Sequence, residues 1–292
     1  MAHYFADRAA LLDESSREFL TRLVALGGYC TVSQAKGLNL AKSTRVRKRL
    51  RSLERLGFLR KVAAYPVVYQ VTTSTARLLG RDSGSRRRHT VATVQARLLG
   101  VDFYLEARGW PSEFILDHER KIDTFTDSGY PIHVLPHRGG KPYLREQFVL
   151  WLPDGRLCVV MLDQSQQSAF SQVKQFVRQF QPALRQPLGE LELLVVTGSA
   201  QRQRLYGRLL RHPRIRKLGL HVFQNAIKVY LVRRPTPSVA APLWPASGYH
   251  EEIHDNLRDP DGTRPWRAYD EGFSPAGNPQ KSRSPIEDTE FF

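Results

Sequence analysis

Cysteine is nearly absent from this chain of 292 residues, and so is any long hydrophobic run. The two cysteines, Cys30 and Cys158, lie far apart in mainly apolar surroundings. That excludes a disulfide framework and a four-cysteine zinc site, and it suits a reducing compartment. No stretch of about 18 apolar residues occurs, so no segment reads as a membrane span. Residues 1–13 contain Asp7 and Asp13 and no long apolar core, so they do not read as a signal peptide. A cytoplasmic location is the expectation. Acidic residues are also scarce, with 28 Asp and Glu against 44 Lys and Arg, a net charge of +16.

That charge is uneven along the chain. Residues 235–292 hold five Lys and Arg, ten Asp and Glu, and nine of the 18 prolines, without apolar periodicity. Such a segment buries too little surface to offset its ordering entropy and reads as a disordered acidic tail. Residues 1–234 keep 39 basic against 18 acidic residues, a surplus whose default partner is nucleic acid. Arg outnumbers Lys by 34 to 10, a bias that GC-rich codons alone produce, so position carries more information than count. A second break, Gly80-Arg81-Asp82-Ser83-Gly84-Ser85-Arg86-Arg87-Arg88, reads as a linker. The expected organisation is therefore residues 1–80, a basic linker at 81–88, residues 89–234, and the tail.

The first part has the pattern of a winged helix-turn-helix. Phe19, Leu20, Leu23 and Leu26 mark an amphipathic helix from Ser16 to Leu26, stopped by Gly27-Gly28. Thr31 is a good N-cap for a short helix, Val32 to Lys36. Ser43 then reads as the cap of a helix from Thr44 to Leu56, whose Val46, Leu50, Leu53 and Leu56 form one buried stripe. Its other faces carry Arg45, Arg47, Lys48, Arg49, Arg51 and Arg55 against the single acid Glu54, so salt-bridge lacing does not account for them. Two strands, Phe58 to Val62 and Val67 to Thr72, with Ala63-Ala64-Tyr65-Pro66 between them, make a wing-sized hairpin. In this motif the third helix enters the major groove, where Arg pairs with guanine edges while Lys and other Arg neutralise phosphates. The expected contact set is Ser43, Thr44, Arg45, Arg47, Lys48 and Arg51, with Tyr65 at the wing tip.

The second part alternates helices and strands. The pattern predicts a helix from His89 to Arg108, then strands Tyr130 to Leu135, Arg145 to Leu152 and Arg156 to Leu162, the last two joined by Pro153-Asp154-Gly155. A helix from Ala169 to Leu184, a buried strand from Leu191 to Thr197 and a helix from Ala200 to Leu210 follow. Two more strands, Leu218 to Phe223 and Ile227 to Val232, complete the series. The fold class is α+β: a winged helix, an α/β domain in the αβββαβ order of restriction endonucleases, and the tail. Together with the run His89-Thr90-Val91-Ala92-Thr93-Val94-Gln95-Ala96-Arg97, the unit from Val159 through Asp163 to Phe180 and the run Leu193-Leu194-Val195-Val196-Thr197, this resembles the replication-relaxation family of plasmid and mobile-element proteins, over roughly residues 15–232. The resemblance implies a DNA-binding accessory role in plasmid mobilisation, replication control or regulation of a mobile element.

Cleavage by the second part needs an acid near its second strand and an acid-x-Lys on its third, holding Mg²⁺ and activating water. The matching positions are Glu146 and Asp163-Gln164-Ser165, with Ser165 where lysine belongs and Lys174 available from the next helix. A binding or dimerisation role fits that departure better than catalysis, and no metal or cofactor is expected. His250-Glu251-Glu252-Ile253-His254, with Glu271, has the zinc-protease spacing but stands in a Pro- and Gly-rich charged context unsuited to the buried helix this chemistry needs. His133 and His137 are separated by Pro136, which favours a loop over a metal-binding helix, and Gly139-Gly140-Lys141-Pro142 lacks the spacing of a phosphate loop. The acidic run before Phe291 and Phe292 has the chemistry of a partner-recruiting terminus, aromatic rings for a pocket and carboxylates for its basic rim. The expected partners are double-stranded DNA and, through a palindromic site, a second copy of the chain.

Overall fold

The computed structural model describes residues 9–42, 44–64, 66–79, 89–110, 113–144, 147–164, 167–186, 191–213, 220–233 and 239. The linker expected at 81–88, the His250–His254 motif, Glu271, Phe291 and Phe292 lie outside these residues. The described residues all belong to one compact unit, residues 3–246, with mixed α and β structure.

Helix α1 (Glu14–Ala25) is capped by Asp13, whose side chain accepts from the Ser16 amide at 2.9 Å. Gly27 and Gly28, with φ of 103° and 81°, turn the chain into strand β1 (Tyr29–Thr31). Thr31 then closes a capping box with Gln34 at the start of helix α2 (Val32–Gly37). Helix α3 (Val46–Arg55) follows, then strands β2 (Leu59–Ala64) and β3 (Val67–Val71) and a short helix α4 (Thr73–Leu78). The three strands form an antiparallel sheet in the order β1-β3-β2.

Several details differ from the sequence reading. β1 escapes it because its three residues are all buried, leaving no alternation to read. Helix α3 begins at Val46 rather than Thr44, and its N-cap position is Arg45, which makes no side-chain capping bond; Ser43, expected as the cap, lies outside the described residues. Residues Ala63 and Ala64 belong to β2, where the register shifts between Lys61 and Ala63, and they pair with Val68 and Val67 of β3.

Helix α5 (Val91–Ala107) buries eleven of its 17 residues and has no solvated face along its middle turns. One flank meets the first sheet, where Val94 and Leu98 pack with Tyr29, Val62 and Val68. Polar ties reinforce the contact. Gln34 Nε2 donates to the Leu98 carbonyl at 2.8 Å, and an Arg97 guanidinium nitrogen donates to the Gly27 carbonyl at 2.9 Å. The Tyr29 hydroxyl and His89 Nδ1 are 2.7 Å apart.

The other flank of α5 covers a five-stranded sheet. Its strands are β4 (Glu113–Ile115), β7 (Phe148–Trp151), β8 (Leu157–Leu162), β9 (Leu191–Thr197) and β10 (Ile227–Leu231), in the order β10-β9-β8-β7-β4. Strands β4, β7 and β8 run antiparallel to their neighbours in turn, whereas β8, β9 and β10 are parallel. The parallel strands are joined by helix α7 (Ala169–Leu184), between β8 and β9, and helix α8 (Ala200–Leu210), between β9 and β10. Between β4 and β7 come helix α6 (His118–Asp127) and a small hairpin of β5 (His137–Arg138) and β6 (Lys141–Pro142). Period-two alternation divides the central strands. Cys158, Val160, Leu194 and Val196 face α5, while Val159, Leu193 and Val195 face Val173, Phe176 and Val177 of α7.

Two expected strands are not strands. Tyr130 to Leu135 contains a 3₁₀ turn, Ile132–Val134, flanked by Pro131 and Pro136. Both Val134 and Leu135 are buried while Ile132 is exposed, which is not the alternating burial of a half-buried strand. Of the stretch expected as a strand at Leu218 to Phe223, the described residues, from Leu220 on, belong to a 3₁₀ segment, Leu220–Ala226, with Val222 exposed beside the buried Phe223. The first strand of the larger sheet is instead β4, and α6 was not anticipated because only Lys121 and Phe125 are buried along it.

Gly100 is the contact point between α5 and this sheet: a Cβ there would stand 2.6 Å from a Phe148 ring carbon and 2.9 Å from Leu162 Cδ1. On an exposed helix Gly→Ala stabilises by up to about 1 kcal/mol. Here Gly100→Ala is expected to destabilise by about 1–3 kcal/mol through overpacking, measured as a lower urea midpoint. A raised midpoint would refute the close packing.

Candidate nucleic-acid interface and the Asp163 cluster

Helix α3 presents its charges because Val46, Leu50 and Leu53 take its buried side. Thr44, Arg45, Arg47, Lys48 and Arg51 are exposed, as are the nearby Lys36 and Lys42. Arg49 is different: its Nε donates to Ser16 Oγ at 2.9 Å, and its guanidinium pairs with Asp13, so it ties α3 to α1. The first turn of α3 contains no acid and has no side-chain cap, which leaves amide N–H groups and the positive end of the helix dipole beside these cations. Thr44, Arg47 and Arg51 form one wall of an open groove of about 1220 Å³, and Pro66, Val67 and Tyr69 of the β2–β3 hairpin contribute to its lining. The remaining lining comes from the start of α2, including Ser33, Gln34 and Lys36, and from Asp102 and Leu105 of α5. Of the sequence-predicted contact set, the structure brings together Thr44, Arg47 and Arg51 at the groove and places Arg45 and Lys48 on the same exposed helix. Ser43 and Tyr65 lie outside the described residues. Asp102 was not foreseen. It is five positions before Ala107 on a helix that is buried nearly all round, so nothing in its spacing separates it from the core.

Asp163, just after β8, sits in a different environment. Its carboxylate is buried and accepts from Arg202 Nε at 3.0 Å and an Arg202 terminal nitrogen at 2.5 Å. The Tyr206 hydroxyl donates to it at 2.7 Å, the Thr197 hydroxyl at 2.9 Å and Gln172 Nε2 at 3.3 Å. Burial pushes the carboxyl upward, but hydrogen bonds from Arg202, Tyr206 and Thr197 outweigh it and hold the group below the usual carboxylate range. The same burial, with the bond to Asp163, drives the Tyr206 hydroxyl upward, so it stays a neutral donor. Arg202 and Tyr206 are one helical turn apart on α8. Their i, i+4 spacing after β9 was the available signal for this cluster.

The nuclease set is not assembled in the described part. A guanidinium occupies both oxygens of Asp163, Glu146 and Ser165 lie outside the described residues, and Lys174 lines a shallow groove on α7 with Ser171, Gln175, Arg178 and Gln179. His133 lies in the 3₁₀ turn, and His137 opens β5 with its Nδ1 at 2.7 Å from the Leu135 carbonyl. Gly139 and Gly140, with φ of 59° and 75°, form the tight turn between Arg138 and Lys141. Among the described residues no three His, Cys, Asp or Glu side chains converge to hold a metal ion, and no helix is long and apolar enough to cross a membrane. Burial raises both cysteine thiols well above their ordinary value, which keeps them protonated. Comparison with protein-family models, with curated proteins and with solved structures finds no match for the chain.

Because the Asp163 carboxyl is held low, its stabilising contribution is full above about pH 4 and is lost as pH falls through the folded-state value. Asp163→Asn, which leaves Arg202 without its counter-charge, is expected to cost about 3–5 kcal/mol near neutral pH. The gap to wild type should narrow in urea titrations at about pH 3. A gap equal at both pH values would show that the carboxylate charge is not what the cluster depends on.

Proposed function

We propose that this chain is a sequence-specific double-stranded DNA-binding protein. In this reading the β1–β3 sheet with α1, α2 and α3 is a winged helix-turn-helix, α3 is the recognition helix and the β2–β3 hairpin is the wing. The observation that carries the reading is the juxtaposition of exposed Arg47, Arg51 and Thr44 with Pro66 and Val67 across one open groove. A groove walled by a cationic helix on one side and a hairpin on the other suits a duplex edge, with Arg reading base edges and Lys48 neutralising phosphate. Leaving aside α6, the 3₁₀ turn and the β5–β6 hairpin inserted between β4 and β7, the succession of α5, β4, β7, β8, α7 and β9 supports reading the second part as an αβββαβ restriction-endonuclease core. The Arg202 clamp on Asp163 favours a binding role for this second part over metal-dependent cleavage. With the family resemblance, the reading extends to a mobilisation or relaxosome accessory factor, or a transcriptional regulator, of a plasmid or other mobile element. A palindromic target would engage two copies of the chain.

The test is selection of bound duplexes from fragments of the protein's own replicon at about 150 mM salt in the presence of Mg²⁺, with recovered DNA checked for nicks. Enrichment of one intact site is expected, and its position at a transfer origin or a promoter distinguishes the two roles. Recovery of cleaved DNA would move the function to the second part. On the selected site, Arg47→Ala should cost about 1–3 kcal/mol and relax one position, whereas Lys48→Ala should weaken all sequences alike and lower the salt slope by about one. Wild-type affinity in both variants would overturn the assignment of α3.

A further inference from the structure

We infer that the outer surface of helices α7 and α8 is a second binding face, for a nucleic-acid phosphate backbone, distinct from the α3 groove. The inference builds on the DNA-binding reading but rests on separate residues. Neither helix contains a single Asp or Glu. From residue 164 to 217 the chain has ten Lys and Arg and two acids, Glu190 and Glu192. Glu192 is paired with Arg156 and is therefore not available to balance these helices.

The two helices form one layer. The apolar side of α7 and the Tyr206 side of α8 pack into the core beneath the larger sheet, on the face opposite α5. Their outer sides carry Lys174 and Arg178 on α7, and Arg204 and Arg208 on α8. Each pair is spaced i, i+4, where like charges repel by about 0.2–0.5 kcal/mol on a helix. None of the four forms an ion pair with a described residue. Two such pairs without any acid on either helix are a standing cost that an anionic partner offsets.

The groove along α7 adds the second observation. Its volume is about 470 Å³, and its lining is Lys174 and Arg178 with Ser171, Gln175 and Gln179. Hydroxyl and amide groups beside cations are the donors that protein–DNA interfaces place on phosphate oxygens. The exposed residues of α7 and α8 include no aromatic ring on which a base would stack. The face therefore engages the backbone without reading sequence. Because the larger sheet separates it from α5, it serves a neighbouring stretch of a bent duplex or a second duplex.

The experiment measures affinity of the full chain for a non-cognate duplex of about 40 base pairs, by fluorescence anisotropy, from about 50 to 250 mM salt. Wild type is compared with the quadruple variant Lys174→Gln, Arg178→Gln, Arg204→Gln, Arg208→Gln, and with Arg47→Ala, Arg51→Ala. These side chains are exposed or half-buried and the Asp163 cluster is untouched, so an unchanged melting temperature serves as the folding control. The quadruple variant is expected to lower the salt slope by about two to four and to weaken binding about tenfold or more at 150 mM. An unchanged slope and affinity in that variant, with weakening in the α3 variant, overturns this inference and leaves the proposed function standing. Weakening only in the quadruple variant supports the second face and removes the α3 assignment. Tighter DNA binding by the quadruple variant overturns the inference as well, since the face would then be occupied by something other than DNA.

Discussion

Helix α5 must be covered on both sides, and the architecture follows from that requirement. Val94 and Leu98 need one apolar surface, and Leu99, Phe103 and Ala107 need another. The β1–β3 sheet supplies the first and the five-stranded sheet the second. At about 25 cal/mol per Å² of apolar surface removed from water, leaving either flank exposed would be costly. The polar contacts of α5 are arranged at its edges: Arg97 and Gln34 join it to the first sheet, while Glu106 accepts from the Tyr230 hydroxyl at 2.5 Å on the second. An aromatic cluster of Phe103, Trp110, Phe114 and Tyr230, in edge-to-face contacts, closes the end of the helix over the sheet.

This dual role explains why the groove beside α3 is built from distant parts of the sequence. α3 and the hairpin come from residues 46–71, but the groove's remaining lining includes Asp102 and Leu105. The close approach of α2 to α5, where a Cβ on Gly37 would meet Leu105 Cδ1 at 2.7 Å, sets that geometry. Charge placement is similarly divided. Arg49 is held internally by Asp13 and Ser16, and Arg202 by Asp163, so the cations left exposed are those whose helical position turns them away from a core.

Long elements with one-sided burial were legible in the sequence. α7, β9 and α8 occur within the ranges their patterns predict, because each combines an unbroken apolar repeat with a clear boundary: Ser168 and Ser199 as caps, and uninterrupted burial along β9. Short elements were not legible, since β1 and β4 are three residues each and acquire their identity from strands to which they pair. The failure at Tyr130–Leu135 has another cause. Proline at 131 and 136 restricts the backbone in a way that a short run of apolar residues does not express. The exposed cations of α3 could be anticipated from helical spacing. The clamp on Asp163 could not be read with the same ease, because it joins residues 39 and 43 positions apart through a parallel crossover.

The shared helix also bears on how the molecule can be divided. A module that ended before residue 81 would leave Tyr29, Val62 and Val68 facing water, since their partners Val94 and Leu98 belong to α5. The region that contains α3 is therefore not a portable unit to be grafted onto other proteins at the 81–88 boundary. Its smallest self-covering form includes α5, and α5 in turn leaves an apolar flank that only the second sheet covers.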